Sequence, residues 1–399
     1  MRKILVAVLA LLGAMQIARA DEQRPWAEIT AAARGQTVYW NAWAGDQRTN
    51  AYIAWVGEQV QKRYGITVQQ VKLQDTAEAV TRVVAEKAAG RTSGGTVDLI
   101  WINGPNFLSM KQQGLLYGPF TRALPNTALV DMVGKPSNGV DFTVPVDGLE
   151  SPWRIAQVVY LYDSARVSDL FRSVPGMLDW AKRHPGRLAH PNARNFLGVT
   201  FLKQALYELT ADAAVLQQPA TDENFAAVTA PLWAWYDALR PLLWREGREF
   251  PENGAAAVQL LNDGEIDVTL AFDPAVAAAS AATGLLPKSA RVAVLEKGTI
   301  GNTSFVAIPF NAAHKEAAMV VADFLLDPEA QARAQNIDFL GSFSVLDIER
   351  LPAADKKRFA DLPRNPALPT SAELGKVLLE PHASWMTRII AEYQKRYVR

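Results

Sequence analysis

The sequence predicts an α/β protein built from two domains. The chain has 399 residues, which exceeds the usual length of one domain. Short β-type runs alternate with helical segments along its first third, and this alternation is typical of a parallel sheet covered by helices. Pro145, Gly148 and Pro152 then cluster near residues 144–152, where we expect the chain to cross into the second domain. Because 49% of the residues are apolar and 21% are charged, both domains can bury a core.

The elements of the first domain are delimited by glycines that follow helical segments. Gly65, Gly90 and Gly114 each end a predicted helix, because glycine adopts the left-handed conformation at a helix C-terminus at little cost. The predicted elements are a helix at 26–33, a strand at 37–40 that breaks at 41–46, a helix at 49–64, a strand at 66–73, a helix at 76–89, a strand at 97–102 and a helix at 107–113.

The second domain is predicted to mix longer helices with short strands. Asp327-Pro328 restarts a helix, because proline is well tolerated in the first turn. The last fifty residues are predicted to be mostly helical. The other elements are a strand at 158–162, helices at 177–183, 196–209, 225–235 and 254–262, a strand at 266–272, a helix at 275–282, strands at 292–294 and 304–308, and a helix at 312–326.

The first twenty residues have the pattern of a secretory signal peptide. Arg2 and Lys3 are basic, residues 4–15 are almost wholly apolar, and Ala18-Arg19-Ala20 is a small-x-small cleavage site. The apolar run is shorter than the roughly 20 residues that a membrane span needs, although an uncleaved anchor is the alternative. We therefore expect cleavage near Ala20 and, in a bacterium, a product released into the periplasm.

Composition and missing motifs exclude several classes of function. Lys plus Arg equals Asp plus Glu, 41 against 41, so no general phosphate-binding field and no nucleic-acid partner are predicted. The chain has no cysteine, which excludes disulfides and thiolate chemistry, and none of its four histidines has helical metal-ligand spacing. We find no G-x-S-x-G, G-x-x-x-x-G-K-[ST], G-x-G-x-x-G or H-E-x-x-H motif, so no enzyme, metal or cofactor is predicted.

Five segments resemble the bacterial extracellular solute-binding proteins that feed ABC importers. The most specific is 302–331, with Ile308-Pro309, Phe324-Leu325-Leu326 and Pro328-Glu329-Ala330-Gln331. The others are 97–101, 158–163, 186–192 and 264–268. In the second of these, Tyr162-Asp163 replaces the family's usual Tyr-Asn. The layout looks closest to the thiamine, polyamine and ferric-ion branch.

The resemblance implies the two-lobed type II periplasmic-binding-protein fold, with mixed or parallel sheets, flanking helices and a ligand cleft between the lobes. It implies a signal peptide at 1–20, a first lobe at 21–147 with 298–345 returning to it, a second lobe at 148–297, and C-terminal helices at 346–399 packing on the lobes. It also implies a monomer that delivers a small solute to an inner-membrane permease with a cytoplasmic ATPase.

Candidate solute contacts follow from the rule that ligands of open α/β sheets bind beyond the carboxyl ends of the strands. The loops at these ends, the crossing and the return strand supply tryptophans, amides and a few charged groups. These candidates are Trp40, Asn41, Trp43, Trp101, Asn103, Asn106, Glu150, Trp153, Asn192, Arg194, Asn195, Phe272, Asp273 and Asn302.

The side chains of this set suit a flat, partly cationic organic solute such as a thiamine-like molecule, because indole faces attract cations. Asp273 or Glu150 could supply the countercharge. Arg154 and Arg194 instead favour a carboxylate or phosphate on the solute. A polyamine, a sugar or a phosphate-bearing solute, and a secreted hydrolase, are the alternatives.

Several candidates have a purely structural alternative. Trp101 alternates with apolar neighbours and could lie on a buried sheet face. Asn106 and Asp273 could cap the helices that follow them. Asn192 and Asn195 could belong to an ordinary loop and cap, or could capture an anion with the helix dipole.

Overall fold

The computed structural model describes residues 24–370 and 372–398 as a mixed α/β protein. The predicted signal peptide lies outside these residues. The helices of the described chain follow one another in this order: α1 Trp26–Ala33, α2 Gln47–Tyr64, α3 Ala77–Ala88, α4 Pro105–Gln112, α5 Val174–Arg183, α6 Phe196–Leu209, α7 Asp222–Leu239, α8 Gly254–Asn262, α9 Val276–Ala282, α10 Lys315–Leu325, α11 Pro328–Gln335, α12 Ala353–Ala360 and α13 Ala383–Tyr397.

The strands lie between these helices and are mostly short. They are β1 Thr37–Trp43, β2 Thr67–Leu73, β3 Leu99–Ile102, β4 Val140–Asp141, β5 Val144–Pro145, β6 Glu150–Gln157, β7 Val159–Asp163, β8 Val268–Ala271, β9 Ala290–Ala293, β10 Thr299–Ala307 and β11 Val377–Leu378.

Helix α2 shows how local chemistry sets these boundaries. The Asp46 carboxylate accepts hydrogen bonds from the backbone N–H groups of Arg48 and Thr49, which are unsatisfied donors of the first turn. Gly65 ends the helix with φ of 70°. Buried residues recur at helical spacing between these two ends, so one face of α2 packs on the sheet.

The larger sheet has the strand order β2-β1-β3-β10-β6, and β11 pairs with the first residues of β10. Strand β1 is parallel to β2 and β3, as the alternation of strands and helices predicted. Strand β10 runs antiparallel to both β3 and β6, because it returns from the later part of the chain. A second sheet, β8-β7-β9, is antiparallel throughout.

Strand β6 is an element that the sequence analysis does not predict. It overlaps the segment 144–152, where the crossing is expected, and it runs from Glu150 to Gln157 and reaches β7 after a single residue. The ladder with β10 shifts register where Pro152 pairs with Phe305 and Arg154 pairs with Ser304, so Trp153 is the extra residue of a bulge. A proline is tolerated in this strand because it lies at that irregularity.

Two large cores flank the crossing strands. The first packs α1, α2 and α10 against the larger sheet, and Trp40 and Trp153 lie within it. The second surrounds the three-stranded sheet with α5, α6 and α7, and Trp385, Ile389 and Tyr393 of α13 complete it.

Two predictions of secondary structure are wrong. Strand β1 continues through Trp43 instead of breaking at 41, because its backbone stays paired with β2 as far as Leu73. The last fifty residues are not mostly helical, since the residues described between α12 and α13 form no helix. Pro363, Pro366 and Pro369 interrupt that segment.

Candidate functional site

The segment that follows β1 contacts the segment that follows β8. An ion pair joins the two sides here, because Nη2 of Arg48 at the start of α2 lies 3.1 Å from Oδ2 of Asp273. The same nitrogen donates to the carbonyl oxygen of Leu340. Asp273 also accepts a hydrogen bond of 2.9 Å from the N–H of Ala275, in the turn before α9. The N-cap of α9 is Ala275 and no side chain caps this helix, so the cap alternative for Asp273 is wrong.

Tryptophans and an arginine form one wall beside this ion pair. Trp43 is 38% exposed, and its ring centroid lies 6.2 Å from that of Trp101 in an edge-to-face arrangement. The guanidinium carbon of Arg154 lies 4.6 Å from the Trp101 centroid and 4.8 Å from the Trp153 centroid. The guanidinium group of Arg154 therefore covers the indoles of Trp101 and Trp153, while Trp43 remains open to solvent.

Four of the predicted contacts, Trp40, Asn41, Glu150 and Trp153, are packed inside the protein. Asn41 donates to the carbonyl oxygen of Tyr39 at 3.2 Å and accepts from Nη1 of Arg82 at 3.1 Å. Trp40 and Trp153 are fully buried, and the indole N–H of each has no hydrogen-bond partner among the described residues. Glu150 is buried at the start of β6, and neither of its carboxylate oxygens is hydrogen-bonded there. Burial raises the pKa of Glu150 well above its usual range, so this side chain is a poor countercharge for a cation.

The end of β3 is organised around a buried carboxyl group. Asp141 accepts hydrogen bonds from the N–H of Gly104 at 2.6 Å and from Nδ2 of Asn103 at 3.3 Å. Asn103 also donates to the carbonyl oxygen of Thr303 at 2.8 Å. Helix α4 begins at Pro105 and Gly104 is its N-cap, so Asn106 lies in the first turn and the cap alternative for Asn106 is wrong.

Burial raises the pKa of Asp141 to about 8. Below that pH the folded chain keeps a proton that the unfolded chain releases near pH 4, so stability falls as the pH rises between these values. We expect Asp141→Asn, which cannot ionise, to reduce the loss of stability between pH 5 and pH 8.5 by on the order of 4 kcal/mol. Urea denaturation at the two pH values checks this, and equal losses in both proteins would contradict it.

The asparagines before α6 serve local structure. Asn195 caps α6 by accepting a hydrogen bond of 2.9 Å from the N–H of Leu197, and Asn192 accepts one of 3.0 Å from the N–H of Arg194. Arg194 itself is exposed. Phe272 packs edge to face against Phe196, with the ring centroids 5.5 Å apart. The cap alternative for Asn195 is therefore correct, and the first residue of α6 presents an aromatic ring to this region.

A buried ion pair that was not predicted from the sequence contacts Asn302. Nζ of Lys203 is 2.6 Å from a carboxylate oxygen of Glu380, and both side chains are essentially inaccessible to solvent. Nδ2 of Asn302 lies 3.4 Å from the other carboxylate oxygen. A lysine in the middle of the apolar helix 196–209 was the signal that could have revealed this pair, since a buried lysine needs a partner.

Neither metal ligation nor membrane insertion is indicated within residues 24–370 and 372–398. In that part of the chain no three His, Asp or Glu side chains are grouped closely enough to hold a metal ion. No helix described there has the length and apolarity needed to cross a membrane.

The family model for bacterial extracellular solute-binding proteins matches residues 55–347. The chain belongs to this family, which confirms the predicted resemblance. Proteins of this family deliver a solute to an ABC permease and its ATPase, and they are transport proteins rather than enzymes.

Known proteins similar to this chain support the same classification. Protein YnjB of Escherichia coli (strain K12) is 41% identical over 388 residues, which cover 97% of this chain and 98% of YnjB. A putative spermidine/putrescine ABC transporter from Listeria monocytogenes is 17% identical with a TM-score of 0.61, covering 90% of this chain and 99% of its own. Iron-bound HitA from Pseudomonas aeruginosa is 16% identical with a TM-score of 0.60, covering 89% and 98%. The fold is the predicted two-lobed type II periplasmic-binding-protein fold.

Proposed function

We propose that this protein is a monomeric periplasmic receptor that closes its two lobes around a flat organic solute, aromatic or cationic and thiamine-like in size. It then presents the solute to an inner-membrane permease. The first lobe contains the larger sheet and the second lobe contains the three-stranded sheet. The observation that carries the proposal is the position of Trp43, a half-exposed indole at the carboxyl end of β1, five residues before Arg48, which pairs with Asp273 of the other lobe.

The charged side chains near the carboxyl end of β1 limit the classes of solute that could bind there. An exposed indole face attracts a flat ring or a cation, at about 0.5–2 kcal/mol for a cation. The side chain of Asp273 is 40% exposed and is paired only with Arg48 among the described cations. A cationic solute would therefore take the place of Arg48 beside Asp273. Arg154 already covers Trp101 and Trp153, so Trp43 is the indole available for stacking.

A solute screen by tryptophan fluorescence and thermal shift tests the proposal. The panel contains thiamine, thiamine phosphates, spermidine, putrescine and sugars. A solute present at 100 times its Kd should stabilise the folded protein by about 2.7 kcal/mol. The variant Asp273→Asn keeps an oxygen that can accept the N–H of Ala275 and removes the charge, so it should weaken binding only if the solute is a cation. No saturable response to any of these small solutes would contradict the proposed function.

We expect Trp43→Ala to weaken binding of the solute identified in this screen at least tenfold, because stacking is lost while the core is untouched. Its Tm should stay within a few degrees of the wild-type value, since the indole is half-exposed. Trp26→Ala is the matched control. It also removes a partly buried indole, but from the first residue of α1 instead of from the carboxyl end of a strand. Isothermal titration of the three proteins checks this, and equal losses of affinity in both variants would place the solute elsewhere.

A further inference from the structure

The hairpin formed by β4 and β5 contains an unusual turn. Its two central residues, Phe142 and Thr143, both have positive φ, 48° and 67°. Turns with two positive φ values favour Asn-Gly, because these residues enter the left-handed region at low cost. A β-branched threonine there is a conformational outlier. Nothing in the local sequence favours this backbone, so contacts elsewhere must hold it.

On one side, the ring of Phe142 is fitted against the end of β3. Phe142 is only 2% exposed. A Cβ atom built at Gly104 would lie 3.1 Å from two of its ring carbons, and Gly104 itself has φ of 59°. Asp141 of the same hairpin accepts a hydrogen bond from the N–H of Gly104, and this bond holds the hairpin against the end of β3. The glycine and the carboxyl group therefore place the ring where Asn103 ends the strand.

On the other side, the ring of Phe142 meets the second lobe. Its centroid lies 6.5 Å from that of Phe196, the first residue of α6, and Phe196 packs in turn against Phe272. Nζ of Lys203 lies 4.5 Å from the Phe142 centroid and 4.9 Å from the Phe196 centroid. A single side chain of the first lobe thus reaches an aromatic and cationic group of the second lobe.

We infer that Phe142 is a specificity-determining residue of the solute cleft, and this inference rests on the proposed function. Its ring lies between the end of β3 and the start of α6, which are the places where each lobe would meet the solute. The ring sets the space left between the lobes and favours a flat solute over a flexible aliphatic polycation. The contacts with Gly104 and Phe196 hold the ring in that position against the strain of the turn.

Three variants distinguish the effect of the Phe142 ring from the effect of the strain in the turn. Thr143→Gly keeps the ring and relaxes the turn. Phe142→Asn combined with Thr143→Gly removes the ring and supplies the favoured turn residues. Phe142→Ala removes the ring alone. The double variant should fold even if Phe142→Ala does not, because its turn residues suit the backbone.

The first measurement is the ratio of the dissociation constants for thiamine and spermidine. We expect both ringless variants to change this ratio at least tenfold and Thr143→Gly to keep the wild-type ratio. The second measurement is the Tm in the presence of toluene, which fills phenyl-sized apolar cavities. Toluene should raise the Tm of the ringless variants by several degrees and leave the wild type and Thr143→Gly unchanged.

Wild-type ratios in the ringless variants, or the same effect of toluene on all four proteins, would overturn the assignment of Phe142. Failure of the wild type to bind any solute of the panel would overturn the proposed function instead. The toluene measurement does not need a solute, and in that case it alone decides whether the ring fills an enclosed space between the lobes.

Discussion

Replacing Lys203 by methionine is expected to lower the free energy of unfolding by about 3–5 kcal/mol. The ammonium group lies 2.6 Å from Glu380, and the two side chains are 0% and 1% exposed. Without Lys203, the Glu380 carboxylate stays buried with only the long contact from Asn302 to compensate it. Urea denaturation of the whole chain at pH 7, followed by circular dichroism, measures the loss.

The control for this variant is Lys182→Met, which breaks a pair with Asp179 whose side chains are 58% and 65% exposed. Exposed pairs contribute little, so its effect should stay within about 1 kcal/mol. The double variant Lys203→Met with Glu380→Leu should recover most of the loss, because removing both charges also removes the cost of burying them. If Lys203→Met and Lys182→Met unfold at the same urea concentration, the buried pair does not stabilise the fold.

Trp153→Ala is expected to destabilise the protein by about 3–5 kcal/mol through the cavity it leaves. The Trp153 ring is fully buried, stacks on Tyr52 with centroids 6.0 Å apart, and meets Trp40 and Trp101 edge to face. It also supports one side of the Arg154 guanidinium. The urea midpoint and the thermal midpoint should both fall.

Trp43→Ala provides the comparison for Trp153→Ala, because the same residue type is removed from a half-exposed position in the same aromatic group. It should cost less than about 1.5 kcal/mol. Trp153→Phe should lie between the two, since it keeps an aromatic ring in the core. Equal losses for Trp153→Ala and Trp43→Ala would show that the bulge collapses around the missing ring.

Elements with strong local signals could be predicted from the sequence. The predicted bounds of α6 and α8, 196–209 and 254–262, are those observed. Each of these helices begins after an asparagine whose side chain accepts a first-turn N–H, Asn195 and Asn253. Strand β6 was missed because Pro152 obscures the pattern and because its partner β10 lies some 150 residues later in the chain.

The candidate site could be predicted only in outline. Strand β1 was located, but the direction in which Trp40 and Trp43 point depends on how far the strand extends. A strand that ends at Trp40 places Trp43 in a loop, whereas the observed strand includes both indoles. The Lys203–Glu380 pair joins residues 177 positions apart, so the lysine in an apolar helix indicates a buried partner but does not identify it. The turn at Phe142 contradicts local turn preferences, which is the kind of position where sequence rules are expected to fail near a functional site.

Each core of this protein draws on widely separated parts of the chain. The first includes Ile29 and Leu340, and the second includes Val158 and Tyr393. Neither core can therefore be completed by one continuous stretch of the chain, and the second is complete only when α13 packs on it. Contacts between residues so far apart in the sequence slow folding.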